Sequence, residues 1–178
     1  MPGIAPFASR AAAALFCALL CIDHGLADGE ALKRIAVLDF DLVDDQRELA
    51  PATAEYPRLA AVRDQLEHEL GADGLYAPVD RRPATGLIEK HRAATALYLC
   101  NGCELEIARS LGTDRVLVGW VQKVSNLILN INIRIEAVAT GEVLLQKSVD
   151  LRGNTDQSWS RGVAYLVRDM LEKGQVNR

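Results

Sequence analysis

The chain has 178 residues, 49% of them hydrophobic, 25% charged and only 5% aromatic, with a formal net charge of −4. This balance excludes a long disordered chain, a polytopic membrane protein and a polybasic nucleic-acid binder. Sparse aromatics leave few stacking platforms for bases or sugars.

The average hides an uneven start. Arg10 is the only basic residue ahead of Ala11 to Ile22, an uncharged and mostly apolar run, and Gly25-Leu26-Ala27 then places small residues at its first and third positions. That is the plan of a signal peptide over residues 1–27, with cleavage expected after Ala27. A transmembrane helix needs about 20 apolar residues, and this run meets Asp23 and His24 first. Cys17 and Cys21 follow Phe16 and Leu20, where lipid attachment requires a small residue. The expectation is a soluble exported protein, periplasmic in a Gram-negative source, with no transmembrane anchor after cleavage. Residues 28–178 are expected to form a single α/β domain, and a chain of this length buries about 70% of its unfolded surface without metals. Cys100 and Cys103 remain as an even pair in an oxidising compartment.

In chain order, Lys33 to Asp41 is a short β-rich apolar run suited to a strand central in the sheet, with both faces covered. An acidic loop runs from about Leu42 to Pro57. Leu59, Val62, Leu66 and Leu70 then recur at helical spacing until Gly71. Gly74 to Asp80 is the second strand, and Pro83 precedes a weaker helical stretch over Thr85 to Leu99. A further helix covers Cys103 to Leu111, closed by Gly112. The clearest pattern is Leu127 to Val138, where Leu127, Leu129, Ile131, Ile133, Ile135 and Ala137 alternate with polar residues, as in a half-buried strand with one wet face. Short links through Ser125-Asn126 and Thr140-Gly141 join it to Arg115 to Val124 and Glu142 to Leu151, and links this short permit only antiparallel neighbours. An amphipathic helix over about Thr155 to Lys173 closes the chain, with Asn154, Thr155 and Asp156 offering capping oxygens. The predicted order is β-α-β-α-α-β-β-β-α, an α/β fold with a mixed sheet of about five strands, a C-terminal antiparallel meander and helices packed on the sheet.

Four constellations carry candidate chemistry. Asp39-Phe-Asp41-Leu-Val43 after an apolar strand resembles the nucleophile motif of haloacid-dehalogenase-like phosphatases, in which two carboxylates share Mg²⁺. The later acidic pair of that family is missing, and the competing reading is acids that end a strand. Cys100-Asn-Gly-Cys103 lacks the His of a c-type haem site, with Glu104 in its place, and only His68 and His91 could complete a zinc set, at no suggestive spacing. A structural disulfide is the favoured reading, with a periplasmic thiol-disulfide redox protein as the alternative because a helix follows the pair. The corner bearing Arg152, Asn154, Asp156, Trp159 and Arg161 is either a helix cap with a core tryptophan or a surface for an anion or a partner. Gln122, Asn130, Asn132 and Arg134 line the polar face of the meander, either solvated or docked. Ser110 and Ser158 belong to no triad that the sequence justifies. No catalytic residue, metal or cofactor is expected.

Three stretches together carry a resemblance: Ile35-Ala-Val-Leu-Asp-Phe40, then Ile107 through Leu111-Gly112 to Gly119, then Ile135 to Leu144 with its Thr-Gly hairpin. They resemble the TolB amino-terminal domain and the CsgG-type curli-secretion lipoproteins. The Cys-x-x-Cys before a helix, the run from Val124 to Asn130 and the Arg-Gly-Asn-Thr-Asp-x-Ser-Trp corner are similar to an uncharacterised proteobacterial family of exported proteins carrying a domain of unknown function. The resemblance implies an adaptor role in the cell envelope through contacts with a protein partner, not nucleic acid, and it carries over no catalytic residue. The combined reading is a non-catalytic periplasmic protein-binding module. The runners-up are the redox protein at Cys100 and Cys103 and the Mg²⁺-dependent phosphatase at Asp39 and Asp41.

Overall fold

A computed structural model describes Gly3, residues 31–45 and residues 53–174. Apart from Gly3, the expected signal peptide, with Cys17 and Cys21, lies outside the described residues, as does part of the acidic loop.

The predicted first strand divides in two. Strands β1 (Arg34–Val37) and β2 (Asp41–Asp44) both run parallel to one long strand, β4 (Arg115–Lys123). Val37 pairs with Leu117 and Asp41 with Trp120, so the first segment spends one residue more than β4 over the same length. The extra residue makes a bulge at Leu38-Asp39-Phe40, and Leu38 N–H still reaches the Leu117 carbonyl at 2.9 Å. β2 occupies the start of the expected acidic loop, since Leu42 and Val43 give that segment enough apolar surface to stay on the sheet.

Helix α1 (Glu55–Ala72) begins four residues before its first core leucine, and Pro57 is tolerated because it falls in the first turn. Its buried residues Leu59, Val62, Leu66 and Leu70 follow the predicted stripe. Strand β3 (Ala77–Pro78) pairs with β1 and is shorter than predicted; Ala77 and Val79 donate to the Lys33 and Ile35 carbonyls, and Pro78 sits between them where its missing N–H faces the open edge. The stretch after it resolves into α2 (Thr85–Ala94), a single 3-10 turn at Leu97–Leu99, and α3 (Cys103–Ser110). Strands β5 (Ile128–Ala137) and β6 (Val143–Arg152) complete the antiparallel meander, and α4 (Asp156–Glu172) ends the described fold.

The sheet order is β3-β1-β4-β5-β6, with β2 in line with β1 beside β4. Helices α1 and α4 cover one face, where Val37, Phe40, Leu117, Val121, Ile131 and Ile133 meet Leu66, Leu70, Trp159 and Leu166. Each such side chain contributes about 1.5–3 kcal/mol when fully buried. A second, smaller core lies on the other face, where Ala36, Leu38, Val116 and Val118 pack on Ile88, Leu97, Ile107 and Ala108 from α2, the 3-10 turn and α3. Gly119 makes room for Phe40 on the first face: a Cβ there would stand 2.2 Å from two ring carbons. Lys147 of β6 also turns toward α4 and pairs with Asp169.

Candidate functional site

The bulge puts Asp39 where three later elements converge. Its Oδ1 accepts from Arg63 of α1 at 2.6 Å and from Arg81, in the turn after β3, at 2.7 Å, and Arg92 of α2 stands 3.3 Å from Oδ2. Asp41 shares Arg92 with it, Oδ1 standing 3.5 Å from that guanidinium, while its Oδ2 accepts the backbone N–H of Leu97 at 2.8 Å and of Tyr98 at 3.4 Å. Burial holds the Asp41 carboxyl above its ordinary range despite Arg92 and these two donors. A phosphatase would need both carboxylates turned to one divalent cation. Here three guanidiniums surround the first, repelling such an ion and taking up its lone pairs. The geometry therefore favours a structural tie over the phosphatase reading.

Cys100 and Cys103 form the expected disulfide, with Cα atoms 5.7 Å apart. Cys103 is 7% exposed and belongs to the smaller core, and half-buried Cys100 packs against it. The turn between them needs Gly102, whose φ of +106° is open to glycine and costly for other residues. His91, which the sequence spacing did not connect to this pair, comes down from α2 so that one ring nitrogen and both sulfurs lie within 4.8 Å of one another. Its Nε2 is 3.1 Å from Glu106 Oε2 of α3. His68 lies exposed on α1 and takes no part.

The polar face of the meander is less wet than predicted. Gln122, Asn130, Asn132 and Arg134 are all half-buried. Asn132 Nδ2 donates to Asn130 Oδ1 at 2.6 Å, Arg134 pairs with buried Glu136, and Tyr98 stacks on Trp120 with ring centroids 5.1 Å apart. Much of the hydrogen-bonding capacity on this face is thus spent internally.

The corner between β6 and α4 separates into two kinds of residue. Thr155 is the N-cap, exchanging hydrogen bonds with Ser158 in a capping box, which accounts for Ser158; Ser110 donates to the Ile107 carbonyl. Asn154 is a hub: its Oδ1 accepts from the Trp159 indole at 2.9 Å and from Arg58 at 3.1 Å, and its Nδ2 donates to Glu55 at 2.6 Å. Trp159 is 2% exposed, and Asp156 holds Arg58 at 2.6 Å. Glu55 in turn meets Lys123, a lysine only 4% exposed, at 2.8 Å, and Asp44 stands 3.2 Å from the same ammonium. Burial pushes the Glu55 carboxyl up, but the hydrogen bonds from Lys123 and Asn154 outweigh it and hold the group below its usual range. The contact with Glu55, helped by Asp44, holds Lys123 above its usual range against the burial. The sequence reading missed this network, although Lys123 shares an inward register with Leu117 and Val121, and an inward lysine requires a partner.

Arg152 and Arg161, by contrast, are exposed and pair with no carboxylate among the described residues. They line a groove of about 570 Å³ along the outer side of β6, with Ser148, Asp150, Ser158 and Tyr165. Since β6 ends the sheet, its outer backbone edge has no strand partner among the described residues. Of the corner residues singled out from sequence, Asn154, Asp156 and Trp159 build the scaffold, and Arg152 and Arg161 face the groove.

The described residues include no helix long and apolar enough to cross a membrane. A family model designated DUF3280 and described as "Protein of unknown function (DUF2380)" matches residues 33–171. No curated protein matches the sequence. Among solved structures, lipoprotein GNA1162 from Neisseria meningitidis is similar with a TM-score of 0.52 and 14% identity, over 79% of this chain and 99% of that one. The LpoB C-terminal domain from Salmonella enterica gives a TM-score of 0.50 and 16% identity, over 71% and 87% of the two chains. TolB from Acinetobacter baumannii gives 0.43 and 13%, over 77% of this chain and 28% of that one. At such identities the first two likenesses concern the fold alone, the mixed α/β architecture expected from the sequence.

Proposed function

Because the chain belongs to the DUF3280 family, whose function is unknown, we propose its role from geometry: it is a non-catalytic, exported module of the cell envelope that binds a protein partner along the free edge of β6. The observation that carries this reading is the coincidence of a ten-residue strand edge, unpaired among the described residues, with a groove lined by Arg152 and Arg161, which pair with no carboxylate among those residues. An extended segment bearing acidic side chains fits it, adding a strand through main-chain hydrogen bonds while Arg152 and Arg161 select charge. A fold shared with a lipoprotein supports an envelope setting, and the apolar run before Ala27 supports export.

Two experiments test the reading. A photo-crosslinking residue at Ser148 or Tyr165, introduced in living cells, is expected to capture the same protein from both positions, and nothing from exposed Glu89 on α2. Charge reversal by Arg152→Glu with Arg161→Glu is expected to abolish the adduct. An adduct that survives charge reversal, or none at either groove position, overturns the assignment. For export, the amino terminus of the mature protein is expected at Asp28, and an intact Met1 refutes it.

A further inference from the structure

The groove leaves the cluster on the opposite face of the sheet without a role. Cys100 and Cys103 stand at the start of α3, His91 descends from α2, and one donor atom from each lies within 4.8 Å of the other two. In a tetrahedral zinc site, metal bonds of about 2.3 Å to sulfur and about 2.1 Å to nitrogen place donors roughly 3.5–3.8 Å apart. The two sulfurs are bonded to each other in the disulfide, but their Cα atoms, 5.7 Å apart, leave room for them to open toward that spacing once reduced, with a His91 nitrogen already within 4.8 Å of both. Two thiolates and an imidazole form a soft donor set that suits d10 ions. Glu106, 3.1 Å from His91 Nε2, leaves Nδ1 as the nitrogen for the metal and would then supply the outer hydrogen bond that fixes a ligating histidine ring. The His91 side chain is 18% exposed, so the cluster is sheltered yet reachable from solvent.

We propose that in their dithiol state Cys100 and Cys103, together with His91, bind one thiophilic d10 cation, Zn²⁺ or Cu⁺, so that this corner alternates between a disulfide and a metal site. Passage between the two states needs a two-electron reductant, a part that a dithiol can play. Its two thiols lose two electrons and two protons and close to a disulfide, while the protein disulfide opens to two thiols; the incoming ion then displaces both thiol protons. In the return step a disulfide oxidant takes up two electrons and two protons to become two thiols, the protein disulfide re-forms, two of three ligands are lost and the ion leaves. The site is thereby gated by redox state.

The test uses mature protein reduced anaerobically with a phosphine, freed of the reductant by desalting, and titrated with Zn²⁺ alone, or with Cu⁺ alone, against a chromophoric chelator. One ion per chain is expected, with X-ray absorption showing two sulfur ligands and at least one imidazole nitrogen. The arm that competes better with the chelator identifies the ion. His91→Ala, which leaves both cysteines in place, is expected to weaken binding at least about tenfold, and Glu106→Gln about tenfold through the lost outer hydrogen bond. Cys100→Ser with Cys103→Ser is expected to abolish binding, and a circular dichroism spectrum of each variant checks that the fold survives. The unreduced protein is expected to bind nothing until a dithiol is added. Absence of binding in the reduced protein, unchanged affinity in His91→Ala, or one ion shared by two chains overturns the proposal.

Discussion

Replacement of Gly119 by alanine probes how the bulge is held. A Cβ at this position meets Phe40 Cε1 and Cζ at 2.2 Å and Cδ1 at 2.7 Å, whereas carbon atoms rest about 3.5–4.0 Å apart. The ring must withdraw by more than about 1 Å. Phe40 is 2% exposed in the larger core, and the space beside it is a cleft of about 260 Å³ that it lines with Tyr56, Leu59 and Arg63. Gly119 lies within a regular strand and is not among the positive-φ glycines, which makes the cost one of space alone. Overpacking of this kind costs typically 1–3 kcal/mol, and three close contacts to a rigid ring place the expected loss near the top, at about 3 kcal/mol. Urea unfolding followed by circular dichroism measures it directly. Thermal unfolding should fall by roughly 2–4 °C per kcal/mol for a chain of this size. In a Phe40→Ala background all three ring atoms in conflict are gone, and the same substitution should cost under about 1 kcal/mol, a coupling of about 2 kcal/mol between the two sites. A Gly119→Ala protein within about 0.5 kcal/mol of wild type, or an equal cost in both backgrounds, refutes the argument.

Acid sensitivity follows from Glu55. Its folded carboxyl titrates below the ordinary value of 4.5, so in that range the unfolded chain binds more protons. The stability this provides is present above that value and is lost as pH falls through the folded pKa. Urea midpoints between pH 6 and pH 3 should therefore fall less steeply in Glu55→Gln than in wild type, and the comparison isolates Glu55 from Asp41, whose raised pKa acts in the opposite sense. Asn154→Ala removes the acceptor for Trp159 and Arg58 and a donor to Glu55. A loss of about 2–3 kcal/mol in urea unfolding is expected. Asp39→Asn leaves three arginines facing a neutral amide and should destabilise the fold by about 3 kcal/mol, while hydrolysis of a generic phosphomonoester should be indistinguishable from background before and after the change.

The meander was legible because Leu129, Ile131, Ile133 and Ile135 alternate with polar residues over a length that no helix period reproduces, and the final helix because its apolar stripe and capping residues agree. The bulge was not. Ile35 to Phe40 reads as one apolar run, and a bulge is set by the partner strand, here by Gly119 opening a space for Phe40. The arginine cluster at Asp39 was illegible for a similar reason. Arg63, Arg81 and Arg92 come from three elements and share no spacing that a linear pattern exposes. His91 lies nine positions before Cys100, and only the 3-10 turn at Leu97–Leu99 folds that distance back on itself. The corner was half legible: the residue types of a cap were plain, but which of Asn154, Thr155 and Asp156 caps and which organises the interior depends on Glu55 and Arg58, nearly a hundred residues earlier.

The pairing of Lys147 with Asp169 has a consequence for how the protein behaves in a crowd. A sheet has two ends, and each is a template on which any extended chain can aggregate. On one side β3 offers two residues, one of them proline, and β2 offers four. On the other, β6 offers ten, a length that calls for protection. A lysine in the middle of that strand, turned inward between Leu145 and Val149 and neutralised from α4, is the kind of buried charge that makes indiscriminate strand addition unfavourable. An edge guarded in this way can remain uncovered at the concentrations of a crowded compartment and still admit a chain whose own side chains suit it.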